Sequence, residues 1–143
     1  MYVSARADYA LRALVAMARA GRPMTVQEMA VEQGLPPRYL GVVLVQLRRA
    51  GIVAARRGRH AGYRLIDDPA SVSAAAAVRA VDGLLAELPG GARGALTGAV
   101  GDGGPRLHDL WEAVQESVEE VLSGTSIADL AAAAVRDGLP EIT

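Results

Sequence analysis

The chain has no cysteine, no lysine and no phenylalanine among its 143 residues. The absence of cysteine excludes disulfides, thiol redox switches, cysteine nucleophiles and clusters held by thiolates. A chain without phenylalanine must build its core mainly from alanine, valine and leucine, which favours close helix packing and burial against a second subunit. No apolar run approaches the roughly 20 residues of a membrane span, and the first residues lack a secretory signal pattern. We therefore expect a cytoplasmic protein.

The charges are segregated along the chain, although they sum to only −1. Residues 1–66 hold 11 arginines and three acidic residues, a balance of +8, whereas residues 67–143 hold four arginines and 13 acidic residues, a balance of −9. A codon bias would explain arginine in place of lysine, but it would not explain the segregation. The basic half indicates contact with a polyanion, such as double-stranded DNA.

A helix–turn–helix pattern begins at Thr25. Thr25 and Glu28 have the spacing of a capping box, in which the Glu28 side chain reaches back to the Thr25 N–H. Gly34 is typical of a helix end, and Pro36 and Pro37 suit the first turn of a second helix.

A hairpin with a basic loop follows the two helices. Residues 52–57 and 62–66 have strand character, and the loop between them holds Arg59 and His60. This order predicts a winged helix-turn-helix, a mainly α fold with a small β-hairpin wing and, further along the chain, a long dimerisation helix.

Capping residues and apolar periodicity predict four more helices. Ser4 and Gly21 have the positions of an N-cap and a helix end, and Ser71 and Ser126 are further N-cap candidates. The expected ranges are 5–20, 72–81, 106–123 and 127–136.

The helix predicted over residues 106–123 carries an apolar stripe along its whole length. Such a stripe is best buried against a second copy of the chain, and packing on its own chain alone is the alternative. We expect a DNA-binding domain over 1–84, a Gly-rich loop over 85–105, and a dimerisation helix with a C-terminal helix over 106–143. The dimerisation candidates are Leu107, Leu110, Trp111, Val114, Val118, Val121 and Leu122.

Several segments occur in an order and at spacings that match one known family. They are DYALRALVAMA at 8–18, LPPRYLGVVLVQLRRAGIV at 35–53, RGRHAGYRL at 57–65, VRAVDG at 78–83, LHDLWEAV at 107–114 and SIADL at 126–130. Together they resemble the IscR-type winged-helix regulators, the Rrf2 family. The resemblance implies a homodimeric transcription factor with winged domains on either side of a crossed pair of long helices.

The chain departs from that family at its sensing site. The best-known members hold an iron–sulfur cluster on three cysteines in the loop before the long helix, and the corresponding loop here has none. His108 falls where some members place a histidine ligand, but one imidazole without thiolates cannot hold such a cluster. We expect a structural role for His108, no metal, no cofactor and no cluster-based sensing.

The start of the second helix of the motif is expected to enter the major groove. Arg38 can make a bidentate contact to guanine, and Tyr39 either bonds a phosphate or packs with its ring half buried. The residues selected there are Pro36, Pro37, Arg38 and Tyr39, with Val42 a turn further on.

The wing supplies a second set of candidates. Neighbouring residues of a strand face opposite ways, so Arg56 and Arg57 cannot both face DNA. Arg57 matches the arginine that relatives insert into the minor groove, and we select Arg57 and Arg59, with Arg56 as a solvated charge or phosphate neighbour. Arg6, in the first turn of the first helix, either reaches a phosphate or is solvated.

These features predict a homodimeric, cluster-independent regulator, acting as a repressor on a pseudo-palindromic operator. The effector is open between a small molecule and a protein, because cysteine-free members of such families include regulators controlled by a partner enzyme. The alternative is a winged-helix module that docks a protein and has lost DNA binding. No catalytic motif is recognisable around the two histidines, so we do not expect an enzyme.

Overall fold

The structure, a computed structural model, describes residues 4–82 and 104–136. Its elements include a two-stranded antiparallel sheet and a short 3-10 turn at Pro69–Ser71. The predicted fold class, mainly α with a hairpin wing, is confirmed. The helices and strands in chain order are α1 (Ala5–Ala20), α2 (Val26–Gln33), α3 (Pro37–Arg49), β1 (Val53–Arg56), β2 (Gly62–Leu65), α4 (Ala74–Asp82), α5 (Gly104–Ser123) and α6 (Ile127–Arg136).

The ends of α1 are those the sequence predicts. The Ser4 hydroxyl accepts a hydrogen bond from the Ala7 N–H at 3.0 Å. Gly21 takes a left-handed conformation, with φ 62°, and its N–H donates to the Met17 carbonyl at 3.1 Å. A glycine adopts this conformation without the steric cost of a Cβ, which fixes the helix end.

One apolar core joins α1, α2, α3 and α4 to the start of α6. Small residues of α1 allow the helices to approach closely, since Ala10, Ala13 and Ala16 are all fully buried. The largest fully buried side chains are Leu14, Met29, Leu40, Leu44, Leu47 and Ile127. The core therefore draws one large residue, Ile127, from the part of the chain that the sequence grouped with the dimerisation helix.

The cap of α2 forms only half of the predicted capping box. The Glu28 N–H donates to the Thr25 hydroxyl at 3.1 Å, as predicted. The Glu28 carboxylate does not close the box. It accepts a hydrogen bond from Arg22 Nη1 at 2.9 Å instead, because this cation precedes the helix and competes for the carboxylate.

The wing is attached to the segment before α2 by backbone hydrogen bonds. The Met24 N–H donates to the Tyr63 carbonyl at 2.9 Å, and the Tyr63 N–H donates to the Met24 carbonyl at 2.7 Å. Gly62, with φ 145°, allows this approach, because a Cβ there would lie 2.6 Å from the Met24 carbonyl carbon. The wing is therefore held against the helix–turn–helix.

The predicted start of α4 was wrong. The helix begins at Ala74, and its N-terminal hydrogen bond runs from the Ala76 N–H to the Ser73 hydroxyl at 3.1 Å. Ser71 was the predicted cap, but its hydroxyl donates to the Asp68 carbonyl at 2.7 Å within the 3-10 turn. Val72 remains extended because its carbonyl accepts from the Ile127 N–H at 2.9 Å, a partner distant in sequence.

The long helix α5 begins at Gly104, before the predicted start at residue 106, and ends at Ser123 as predicted. The rest of the predicted Gly-rich loop, and the chain beyond residue 136, lie outside the described residues. Within the described ranges, no helix is long and apolar enough to cross a membrane.

Candidate nucleic-acid interface

The first turn of α3 is exposed and built on two prolines. Pro36 is extended, with φ −64° and ψ 122°, and Pro37 occupies the first helical position, where a missing N–H costs nothing. Both prolines and Arg38 are exposed to solvent. The opposite face of α3 is buried in the core, so the outer face is available for a partner.

Tyr39 is held by an aromatic neighbour on α1. Its ring lies edge-on to that of Tyr9, with centroids 5.3 Å apart and planes at 89°. The residue remains 42% exposed. A ring fixed in this way loses little conformational freedom on binding, and its exposed part is free to meet a ligand.

The wing and the turn before α2 enclose a basic depression of about 410 Å³. The wing contributes five residues and the helix–turn–helix contributes four. The lining residues are Arg56, Gly58, Arg59, His60 and Ala61 from the wing, and Arg22, Pro23, Thr25 and Glu28 from the turn and α2.

This depression brings together arginines that the sequence did not associate. Arg22 lines the depression together with Arg56 and Arg59, although the sequence did not predict it as a binding residue. Its guanidinium is held by the Glu28 carboxylate and by the Pro23 carbonyl, at 2.9 and 3.0 Å from Nη1. Three arginines against one glutamate leave the lining positive, which suits a phosphate.

Arg57 and Arg6 are exposed but lie elsewhere. Neither lines the depression; Arg56 is the last residue of β1, and Arg57 follows the strand. The residue of this pair that lines the depression is Arg56, whereas the sequence selected Arg57. No local pattern distinguishes the two.

The apolar stripe of α5 is largely uncovered. Leu107, Leu110, Trp111 and Val121 are 53, 51, 41 and 66% exposed, and Val114, Val118 and Leu122 are half-buried. An ion pair between Arg79 and Glu119 connects α5 to α4. The described chain therefore presents a long apolar surface on α5.

A model of the family described as "Rrf2: Iron-dependent Transcriptional regulator" matches residues 3–133. The chain belongs to the Rrf2 family. A candidate HTH-type transcriptional regulator of Mycobacterium tuberculosis is 35% identical to this chain over an alignment of 146 positions. The alignment covers 99% of this chain and 88% of the relative.

Two solved structures are similar in fold to this Rrf2 chain. CymR, the global cysteine regulator of Bacillus subtilis, has a TM-score of 0.78 at 26% identity, covering 92% of this chain and 97% of CymR. IscR of T. potens has a TM-score of 0.77 at 26% identity, covering 99% and 93%. The chain is thus an IscR-like, DNA-binding transcriptional regulator with a winged helix. The relatives are named as transcriptional regulators.

The family description includes iron dependence, whereas this sequence lacks the thiolates that hold iron–sulfur clusters. No cysteine is present in the sequence. Among residues 4–82 and 104–136, no three histidine, aspartate or glutamate side chains form a group suited to a metal. His108 Nε2 lies 3.1 Å from Glu112 Oε1, one helical turn away on α5. This donor set does not suit an iron–sulfur cluster, which is held mainly by thiolates.

Proposed function

We propose that this Rrf2 protein is a homodimeric repressor that acts in the cytoplasm on a pseudo-palindromic operator without an iron–sulfur cluster. The observation that carries the proposal is the pairing of an exposed α3 start with a positive wing on the same chain. Within it, residues 1–84 bind DNA, residues 85–105 occupy the position of the relatives' cluster loop, and residues 106–143 dimerise.

The DNA-binding surface has three parts in this proposal. Arg38 contacts guanine in the major groove from the exposed end of α3, with Pro36 and Pro37 setting its position. Tyr39 and Arg6 contact phosphates. Arg57 and Arg59 enter the minor groove from the wing, where narrow A·T tracts attract arginine.

The basic depression adds a phosphate contact to that surface. A sugar–phosphate backbone must pass between a recognition helix in the major groove and a wing in the adjacent minor groove. The depression lies beside the wing, between it and the turn before α2, and its lining holds Arg22 and Arg56 next to the groove-entering Arg59. We assign it to a backbone phosphate, with Arg22 as an additional DNA-binding residue.

Dimerisation is supported by the exposure of the α5 stripe. Trp111 is the only tryptophan of the chain and is 41% exposed in the protomer. Aromatic residues of this kind anchor interfaces when a second subunit covers them. A dimer would present two α3 helices to half-sites about 34–36 Å apart, or a multiple of that spacing. A small-molecule or protein effector would act near Trp111 and the 85–105 loop.

The test is a salt series with the purified full-length protein and the duplex upstream of its own gene. Binding should weaken steeply with salt, and Arg57→Ala or Arg59→Ala should each reduce the slope of log K against log salt by about 1. Arg19→Ala removes the same charge from the exposed side of α1 and is the matched control.

Three results would contradict this proposal. Binding that hardly responds to salt would exclude phosphate neutralisation as its main source. Equal losses in the Arg19, Arg57 and Arg59 variants would show attraction by net charge rather than contact by the wing. Absence of binding to any duplex would favour the protein-docking alternative. The dimer is tested separately, by sedimentation of the free protein.

A further inference from the structure

The outer face of α3 carries two valines between two arginines. At about 100° per residue, Arg38, Val42, Val45 and Arg49 fall within about 60° of one another around the helix axis. The centre of this outer stripe lies about 180° from the centre of the buried residues. Those buried residues are Leu40, Val43, Leu44 and Leu47.

The two valines are not part of the core. Val42 is 56% exposed and Val45 is 39% exposed, whereas the four residues of the buried face are 0% exposed. A valine that stays exposed adds little hydrophobic stabilisation to the fold, and its branched side chain lowers helix propensity slightly. Folding of the protomer therefore gives no reason for valine at either position.

The charges around the pair indicate the kind of surface that covers it. Arg38 lies before the valines on the outer stripe, Arg49 lies after them, and both arginines are exposed. A protein-docking patch is usually depleted of charge at its centre and has a mixed polar rim, whereas both ends of this strip are cationic. An apolar strip between cations complements the DNA major groove, whose floor carries methyl groups between two lines of phosphates.

The major groove offers one apolar group to such a strip, the C5 methyl of thymine. A valine cannot form hydrogen bonds with base edges. If it covered a polar edge atom, that atom would lose water without gaining a partner. Contact with a thymine methyl has no such cost, so valine at this position favours thymine over the other bases.

We propose that Val42 and Val45 are specificity-determining residues that recognise thymine methyl groups in each half-site. The inference rests on the proposed function, because it requires α3 to lie in the major groove. Val42 lies about 6 Å along the helix from Arg38, close to the rise of two base pairs. Each half-site should therefore hold a thymine within about two base pairs of the guanine that Arg38 contacts.

The test removes methyl groups from the DNA and leaves the protein unchanged. Duplexes that bind the full-length protein are selected from a random-sequence pool, and each preferred thymine is replaced in turn by deoxyuridine, which pairs identically but lacks the methyl. Replacement at one or two positions per half-site should weaken binding about fourfold for each methyl lost. Replacement elsewhere should have little effect.

Variants then assign each methyl to a side chain. Each variant, Val42→Ala or Val45→Ala, should lose the preference for thymine over deoxyuridine at the one base position that its valine contacts. It should keep that preference at the position that the other valine contacts. Val31→Ala is the matched control, because Val31 is 85% exposed on α2, outside the outer stripe of α3. This control should retain the full thymine preference.

The outcomes separate this inference from the proposed function. Selection of a defined sequence with equal binding of thymine and deoxyuridine duplexes would overturn the role of the valines and leave the operator intact. Unchanged methyl sensitivity in both valine variants would also overturn it. Failure to enrich any sequence would contradict the proposed function, and this inference with it.

Discussion

Helices α3 and α5 have the same kind of amphipathic sequence and opposite outcomes in the protomer. The apolar stripe of α3 is completely buried, whereas the largest residues of the α5 stripe remain 41 to 66% exposed. The periodicity of each stripe indicates a face that must leave water, but it does not say which surface covers that face. The stripe of α3 is covered by other helices of the same chain. The described residues cover the stripe of α5 only in part.

The buried stripe should be the more sensitive to truncation. Leu44→Ala leaves a cavity at a fully buried position, and we expect it to lower the free energy of unfolding by about 2–5 kcal/mol, as measured by urea denaturation. Val31→Ala removes an exposed side chain and should stay within about 0.5 kcal/mol of the wild type. A loss below about 1 kcal/mol for Leu44→Ala would mean that this core is loosely packed.

The exposed stripe should be sensitive in association rather than in folding. Leu110→Asp places a charge where the proposed dimer buries an apolar side chain, so the dimer dissociation constant should rise roughly 30-fold or more by analytical ultracentrifugation. Ser123→Asp adds the same charge at an exposed position of α5 about 160° around the helix from the centre of the stripe, and it should leave the dimer intact. Equal dissociation in both variants would argue against the stripe as the interface.

Local signals in the sequence predicted most of the fold. Several helix ends depend on residues that act within one helical turn, and each of these ends is confirmed. The residues are Ser4, Gly21, Thr25, Pro36 and Pro37. The start of α4 was wrong because it depends on Val72, whose carbonyl bonds to the distant Ile127. Sequence patterns carry little information on contacts of this range.

The candidate site was predictable to the same extent and for the same reason. Arg38 follows from its place in the motif, and the structure shows it exposed at the start of α3. Arg22 was missed because it meets Arg56 and Arg59 only after the Met24–Tyr63 bridge brings the wing to the turn before α2. The roles of these residues on DNA remain predictions.

The Asp129 carboxylate at the start of α6 should make the stability of the fold depend on pH. The Ser126 N–H donates to Asp129 Oδ2 at 3.0 Å, and the Asp129 N–H donates to Ser126 Oγ at 3.0 Å. The pKa of Asp129 is lowered first by the hydrogen bond that its carboxylate accepts from the Ser126 backbone, and second by the Ser126 side chain. The folded pKa is below the unfolded one, so this carboxylate stabilises the fold above about pH 4 and loses its effect as the pH falls further.

The measurement is the difference in unfolding free energy between the wild type and Asp129→Asn. It should favour the wild type at pH 7 and shrink as the pH is lowered below about 4, with Asp109→Asn as an exposed control on α5. Ser126→Ala should cost about 1 kcal/mol at neutral pH, because it removes the cap of the helix that carries Ile127 into the core. A difference that does not change with pH would contradict the capping role of the carboxylate.

The smallest effect on stability is expected at the contact between α4 and α5. The ion pair between Arg79 of α4 and Glu119 of α5 is partly exposed, with side-chain exposures of 45 and 28%. Such pairs contribute about 0.2–1 kcal/mol, and a double-mutant cycle of Arg79→Ala and Glu119→Ala should give a coupling in this range that decreases with salt. A coupling above about 2 kcal/mol would mean that a second subunit shields the pair from water. In that case the dimer interface would extend beyond the apolar stripe to the α4–α5 contact, and dimerisation would help to fix the winged domain against α5.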